Sequence, residues 1–168
     1  MDRTVYVVGT LHRYQGRYNI NSGQVATKAE LEQFKRFLKE IISQLSIRWI
    51  AEEMSVEALV NNRHPDLPSG ESVPFQVSGE LRLAPHGYCC APDRATREKL
   101  GLSPDGTPDT PDDQKKRETY WLEQLEKHNS FPCLFVLGSS HADTFTALLK
   151  KSQLTPVLLI EEWKPATS

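Results

Sequence analysis

Five short apolar runs constrain the fold of this chain more than any other feature. They are residues 4–9 (TVYVVG), 47–51 (IRWIA), 86–91 (HGYCCA), 133–137 (CLFVL) and 156–160 (PVLLI). Most are too continuous in apolar residues to leave one face in water, the pattern of strands covered on both sides, as in a parallel sheet. The third is the weakest, because Gly87 and two cysteines lower its strand propensity. Helical patterns lie between the runs. Leu31, Phe34, Leu38, Ile41, Ile42 and Leu45 recur on one helix face, and Thr27 with Glu30 reads as a capping box that starts it. A second helix is expected from Pro111, capped by Thr110, with Asp112 and Asp113 at its positive end and Trp121, Leu122 and Leu125 as its apolar residues. A third follows Gly138, with Ser140 and Asp143 as a capping pair and Phe145, Leu148 and Leu149 inward. Strands alternating with helices predict an α/β fold with a mainly parallel sheet of about five strands, joined by right-handed connections.

A length of 168 residues fits a single domain spanning 1–168. Lys and Arg number 20 against 22 Asp and Glu, a net charge of −2, so no nucleic-acid footprint is expected. No apolar run approaches the ~20 residues that cross a bilayer, and the N-terminal stretch lacks a signal-peptide pattern, so neither membrane insertion nor secretion is expected. Three cysteines, Cys89, Cys90 and Cys133, have no framework spacing; this predicts reduced thiols and a cytoplasmic protein. Residues 61–111 hold eight of the eleven prolines. That stretch should contain no long helix, and forms either surface connections or loops that cover a site. The closing WKPATS is expected to be disordered, with 164–168 as a tail.

Two segments echo each other. VYVVGTLH ends at His12 and LFVLGSSH ends at His141; each is an apolar strand, then Gly, a hydroxyl residue, one residue and His. Each Gly stands where a strand turns sharply or meets a neighbour closely. Each His follows the carboxyl end of a strand, the edge where open α/β sheets bind ligands. The second strand is followed by Glu52 and Glu53, the third by Asp93 and Arg94, with Arg97 one turn on. In a parallel sheet these groups converge along one edge. His titrates nearest neutral pH and serves as general base or metal ligand. A carboxylate can orient it or activate water, and an Arg can hold an anion or an oxyanion. The economical reaction is water attack on an ester, lactone or amide. No Ser stands in a G-x-S-x-G elbow, which argues against an α/β-hydrolase triad.

The paired G-T-L-H and G-S-S-H segments, with Glu52–Glu53 and the Asp93–Arg94…Arg97 cluster, resemble the superfamily that joins erythromycin esterases, ChaN-like proteins, Tiki proteases and TraB/PrgY proteins. The resemblance runs from Val5 to about Lys151 through short motifs only, and this chain is much shorter than the esterases and Tiki members. It implies a site of His12, one of Glu52 or Glu53, one of Arg94 or Arg97, and His141; Asp93, Arg94 and Arg97 at the third strand's end are the substrate-binding candidates. Activities within that group include lactone hydrolysis by a His-activated water, metal-dependent peptide cleavage, and haem or iron handling. A divalent metal would fall to His12, His141 and Glu52. The alternative to a hydrolase acting on a small molecule is a binding or sensor domain for a metal, haem or small anion at the same edge.

Other residues read more plainly. Adjacent Cys89 and Cys90 point to opposite faces of a strand and suit buried packing; the alternative is a nucleophile beside His86 or His141. His64 is expected in a loop, joining the site only if that loop folds over it. His128 suits a helix end as a cation. Trp49 and Trp121 suit packing, and Lys28, Glu32, Lys35 and Lys39 a solvated helix face.

Overall fold

The computed structural model describes residues 3–17, 25–61, 64–83, 88–103 and 110–166, with the side chains of Tyr88 and Cys89 excepted. Five strands form one sheet in the order β3-β2-β4-β1-β5, and every neighbouring pair is parallel. They are β1 (Thr4–Thr10), β2 (Trp49–Glu52), β3 (Tyr88–Cys89), β4 (Cys133–Gly138) and β5 (Thr155–Trp163). The helices are α1 (His12–Gln15), α2 (Lys28–Leu45), α3 (Val56–Asn61), α4 (Val73–Glu80), α5 (Arg94–Lys99), α6 (Pro111–His128) and α7 (Ala142–Lys150), with a 3-10 turn at Ser139–His141. The fold is the α/β architecture that the apolar runs predict.

The three central strands are buried along almost their whole length, so the continuous runs do mark strands covered on both faces. Alternation divides them. Val5, Val7, Trp49, Ala51 and Phe135 face α6 and α7, meeting Trp121, Leu125 and Phe145. Val8, Ile50, Leu134 and Val136 face the other way, onto Phe34, Leu38 and Ile42 of α2 and Val73 and Val77 of α4. The PVLLI run differs: β5 is an edge strand, with Val157 38% exposed, because among the described residues no strand lies beyond it. Pro156 is suited to that edge, where a missing N–H leaves no ladder bond unmade.

Local signals place the long helices. Both capping boxes form, Thr27 with Glu30 and Thr110 with Asp113, and Pro111 lies in the first turn of α6. The expected Ser140–Asp143 cap does not start α7. A 3-10 turn precedes that helix, and its N-cap is His141, with no side-chain cap bond. The turn tightens the chain as it leaves β4 and turns the histidine inward.

The proline-rich stretch carries only short helices in its described parts, the longest being the eight-residue α4. It is more than surface connection: α4 buries Val73, Pro74 and Val77. Lys28 and Glu32 lie on an exposed face, as expected, while Lys35 and Lys39 on the same helix pair with Glu80 and join α2 to α4. Trp163 corrects the expectation for the first residue of WKPATS. It ends β5 with its ring against Tyr14, Phe34 and Phe37, since an indole of that size gains more from burial than its backbone loses in freedom. Beyond it, the Ala166 N–H donates to Gln33 Oε1. Among the described residues, no helix is long and apolar enough to cross a membrane.

Candidate functional site

β1 and β4 are neighbours in register, from Val5 opposite Cys133 to Thr10 opposite Gly138. Their two Gly-x-x-His segments therefore leave the sheet side by side at its carboxyl edge. The glycines do different jobs. A Cβ on Gly9 would lie 1.8 Å from the Glu161 carbonyl oxygen of β5, so Gly9 permits backbone contact. A Cβ on Gly138 would lie 2.9 Å from His12 Nε2 and 3.2 Å from Glu53 Oε2, so Gly138 leaves room for the site itself.

Glu53, just past β2, is the centre of the cluster. Its Oε2 lies 3.4 Å from His12 Nε2 and accepts the Gly138 N–H at 2.8 Å. Its Oε1 takes the Arg117 guanidinium and lies 3.8 Å from His141 Nε2. Burial alone would raise the Glu53 pKa. His12 above all, then Arg117 and His141, outweigh it and hold the carboxyl down at about 2. Glu53 is thus a buried, ionised carboxylate between two imidazoles. The imidazoles differ in access: the His12 side chain is 32% exposed, that of His141 5%. His141 Nδ1 is 2.8 Å from Glu118 Oε1, and the Trp121 ring stands edge-on to its imidazole at 5.0 Å.

Glu52 takes the opposite face, as adjacent residues in a strand must. It is fully buried, accepts a bond from the Ser72 hydroxyl that caps α4, and lies 3.5 Å from Gln15 Nε2. Burial raises its pKa to about 7, against the lowering by Ser72 and Gln15. The two adjacent glutamates are therefore driven in opposite directions, one kept charged and the other's pKa raised to about 7 by burial.

Of the residues expected from sequence, the structure brings His12, Glu53 and His141 together. Asp93 instead caps α5, accepting the Thr96 N–H at 2.8 Å. Arg94 is exposed and pairs with Glu98. Arg97 donates through Nε to the Ser103 carbonyl, and its charge helps to lower the Asp113 carboxyl, which bonds from Thr110 chiefly hold down. The guanidinium that reaches Glu53 belongs to Arg117, which sequence reasoning missed along with Glu118. A signal was present for Glu118: it falls on the apolar stripe of α6, three residues before Trp121 and seven before Leu125.

The donor set expected for a metal, His12, His141 and Glu52, is divided by the sheet. Among the described residues, no group of three or more His, Cys, Asp or Glu is arranged to hold a metal ion. His64 is buried apart from the cluster's contacts, with Nε2 2.6 Å from the Ala26 carbonyl and Nδ1 accepting the Asp66 N–H. His128 packs against Trp49 with the rings tilted and their centroids 4.0 Å apart, and burial lowers its pKa, which disfavours the cationic role expected at a helix end. Cys90 packs in the core, and burial pushes the Cys133 thiol well above its ordinary range. His86 and the Cys89 side chain lie outside the described residues.

The chain matches no protein-family model, and no curated protein or solved structure matches it.

Proposed function

We propose that this protein is a hydrolase that uses a His12-activated water on an ester, lactone or amide. The observation that carries this reading is the placing of Glu53 between the two motif histidines, 3.4 Å from one and 3.8 Å from the other. A half-exposed imidazole backed by a buried carboxylate is the arrangement of a general base.

The geometry supports the following chemistry. Glu53 Oε2 stands 3.4 Å from the buried Nε2 of His12, so Nδ1 is the ring's other nitrogen and the one assigned to water here. Nδ1 takes a proton from water, and the resulting hydroxide adds to the substrate carbonyl. The imidazolium that forms is stabilised by the ionised Glu53. Collapse of the tetrahedral intermediate breaks the bond to the leaving group, which takes the proton back from His12. Arg117 keeps Glu53 charged, so Glu53 orients and stabilises without itself being the base. His141, on the far side of Glu53, is the second acid–base group of the unit. Membership of the erythromycin esterase and Tiki-like superfamily belongs to the same reading, supported by the two Gly-x-x-His segments on neighbouring strands. A cytoplasmic setting also belongs to it, supported by cysteines without framework spacing.

The test is turnover by purified protein on a panel of chromogenic esters, lactones and amides, with and without chelator. Hydrolysis that H12A lowers by about 10²–10⁴-fold supports the reading. Retained binding of an anionic ligand with no hydrolysis would make the site a binding module instead.

A further inference from the structure

One oxygen of Glu118 does two jobs. Its Oε1 lies 2.8 Å from His141 Nδ1 and 2.6 Å from Thr144 Oγ1. A carboxylate oxygen accepts, so the imidazole nitrogen facing it must donate. The proton of a neutral His141 ring then belongs on Nδ1, and Nε2 carries the lone pair on the side of Glu53. The opposite tautomer would set a bare nitrogen against a carboxylate oxygen at 2.8 Å in a buried place, two acceptors in contact without a proton between them. Little else can turn the ring: Trp121 packs edge-on to it, and both His141 and Glu118 are buried. Glu118 is held in turn by α6, whose capping box fixes its start and whose Trp121 and Leu125 anchor it in the core.

From these contacts we infer that Glu118 is a positioning residue that sets the tautomer of His141, making Nε2 the proton-accepting atom of that ring. Its catalytic consequence rests on the hydrolase reading above; the tautomer itself is a property of the resting protein. A proton that reaches Nε2 lies between two carboxylates, Glu118 on the Nδ1 side and Glu53 beyond Nε2. His141 can therefore hold that proton and return it without any movement of the ring.

The experiment is long-range proton–nitrogen correlation NMR of the histidine rings, on wild type and on Glu118→Leu, paired with steady-state kinetics. Leu keeps most of the volume and the helix propensity but accepts nothing. Wild type should show His141 protonated at Nδ1 with a bare Nε2. In E118L the proton should move to Nε2, where Glu53 is the remaining acceptor, and kcat should fall about 10²–10⁴-fold with KM little changed. A wild-type ring protonated at Nε2 overturns the assignment, and so does an E118L ring that keeps its Nδ1 proton. If E118L does not fold, the wild-type spectrum alone decides. A moved proton with unchanged kcat overturns the positioning role. Absence of hydrolysis by wild type overturns the reading of the site and leaves the tautomer to the spectrum.

Discussion

Gly138 faces the His12 imidazole so closely that a Cβ there would stand 2.9 Å from Nε2. Its backbone is ordinary, with φ −62° and ψ 134°, so any residue could adopt it. The glycine is required by the neighbour and not by the chain. G138A should therefore push His12 off Glu53 and lower turnover at least 10-fold, while thermal stability changes little. G9A should behave in the reverse order. Its Cβ meets β5 backbone, which cannot swing aside, so unfolding should become easier by about 1–3 kcal/mol or more. Denaturant melts and kinetics on both variants separate the two cases.

His12→Ala and His141→Ala should each remove most turnover, and the double variant should lose little more, because the groups act through one shared carboxylate. Their stabilities should part. His12 is the solvent-facing member and should be cheap to remove. Loss of His141 leaves Glu118 buried without its imidazole donor, at a cost of about 1–3 kcal/mol. Urea unfolding of the two single variants checks the difference.

Arg117→Met should do more damage than its position on a surface-starting helix suggests. It leaves Glu53 with a smaller share of the positive charge that keeps it ionised. Removing one partner of a buried pair typically costs about 3–5 kcal/mol. A carboxyl whose folded pKa is depressed stabilises the fold above its unfolded value near 4.5 and loses that contribution as pH falls toward 2. R117M should therefore begin to lose activity and stability at a higher pH on the acid side than wild type. Stability curves between pH 3 and 6 read this directly.

Glu52 carries the opposite sign. Its folded pKa, about 7, lies above the ordinary 4.5, so between those values the unfolded chain has released a proton that the folded chain keeps. Stability from this group is complete below pH 4.5 and is lost as pH rises through 7. The span corresponds to about 3 kcal/mol. Glu52→Gln, which keeps the shape and an acceptor for Ser72, should flatten that limb. Relative to wild type it should gain stability steadily from pH 5 to 7.5, with the gain levelling off above. A gap that stays constant with pH would show that Glu52 does not titrate in this range.

Much of this arrangement is legible in the sequence because it is local. The runs of β1, β2 and β4, the capping boxes at Thr27 and Thr110, and the Gly-x-x-His endings at His12 and His141 each depend on residues a few positions apart. Burial on both faces and the parallel direction follow from the continuity of those runs. Which of Glu52 and Glu53 joins the histidines is another matter. Alternation says that only one can, but which one depends on the register that sets Glu52 beside Val136 and leaves Glu53 beyond it.

Arg117 and Glu118 mark the boundary most clearly. In sequence they are two charges among many on α6, and the arginines just after the third strand looked better placed. Only the docking of α6 across the β4 side of the sheet turns Glu118 to His141 and Arg117 to Glu53, because a helix's contacts are set by the face it buries. The chain's own pattern determined that a sheet edge would carry two histidines and a carboxylate. Tertiary packing decided which charges, brought from more than sixty residues away from Glu53, would complete the site, since burial lets distant groups fix one another's protonation in a way that no local spacing records.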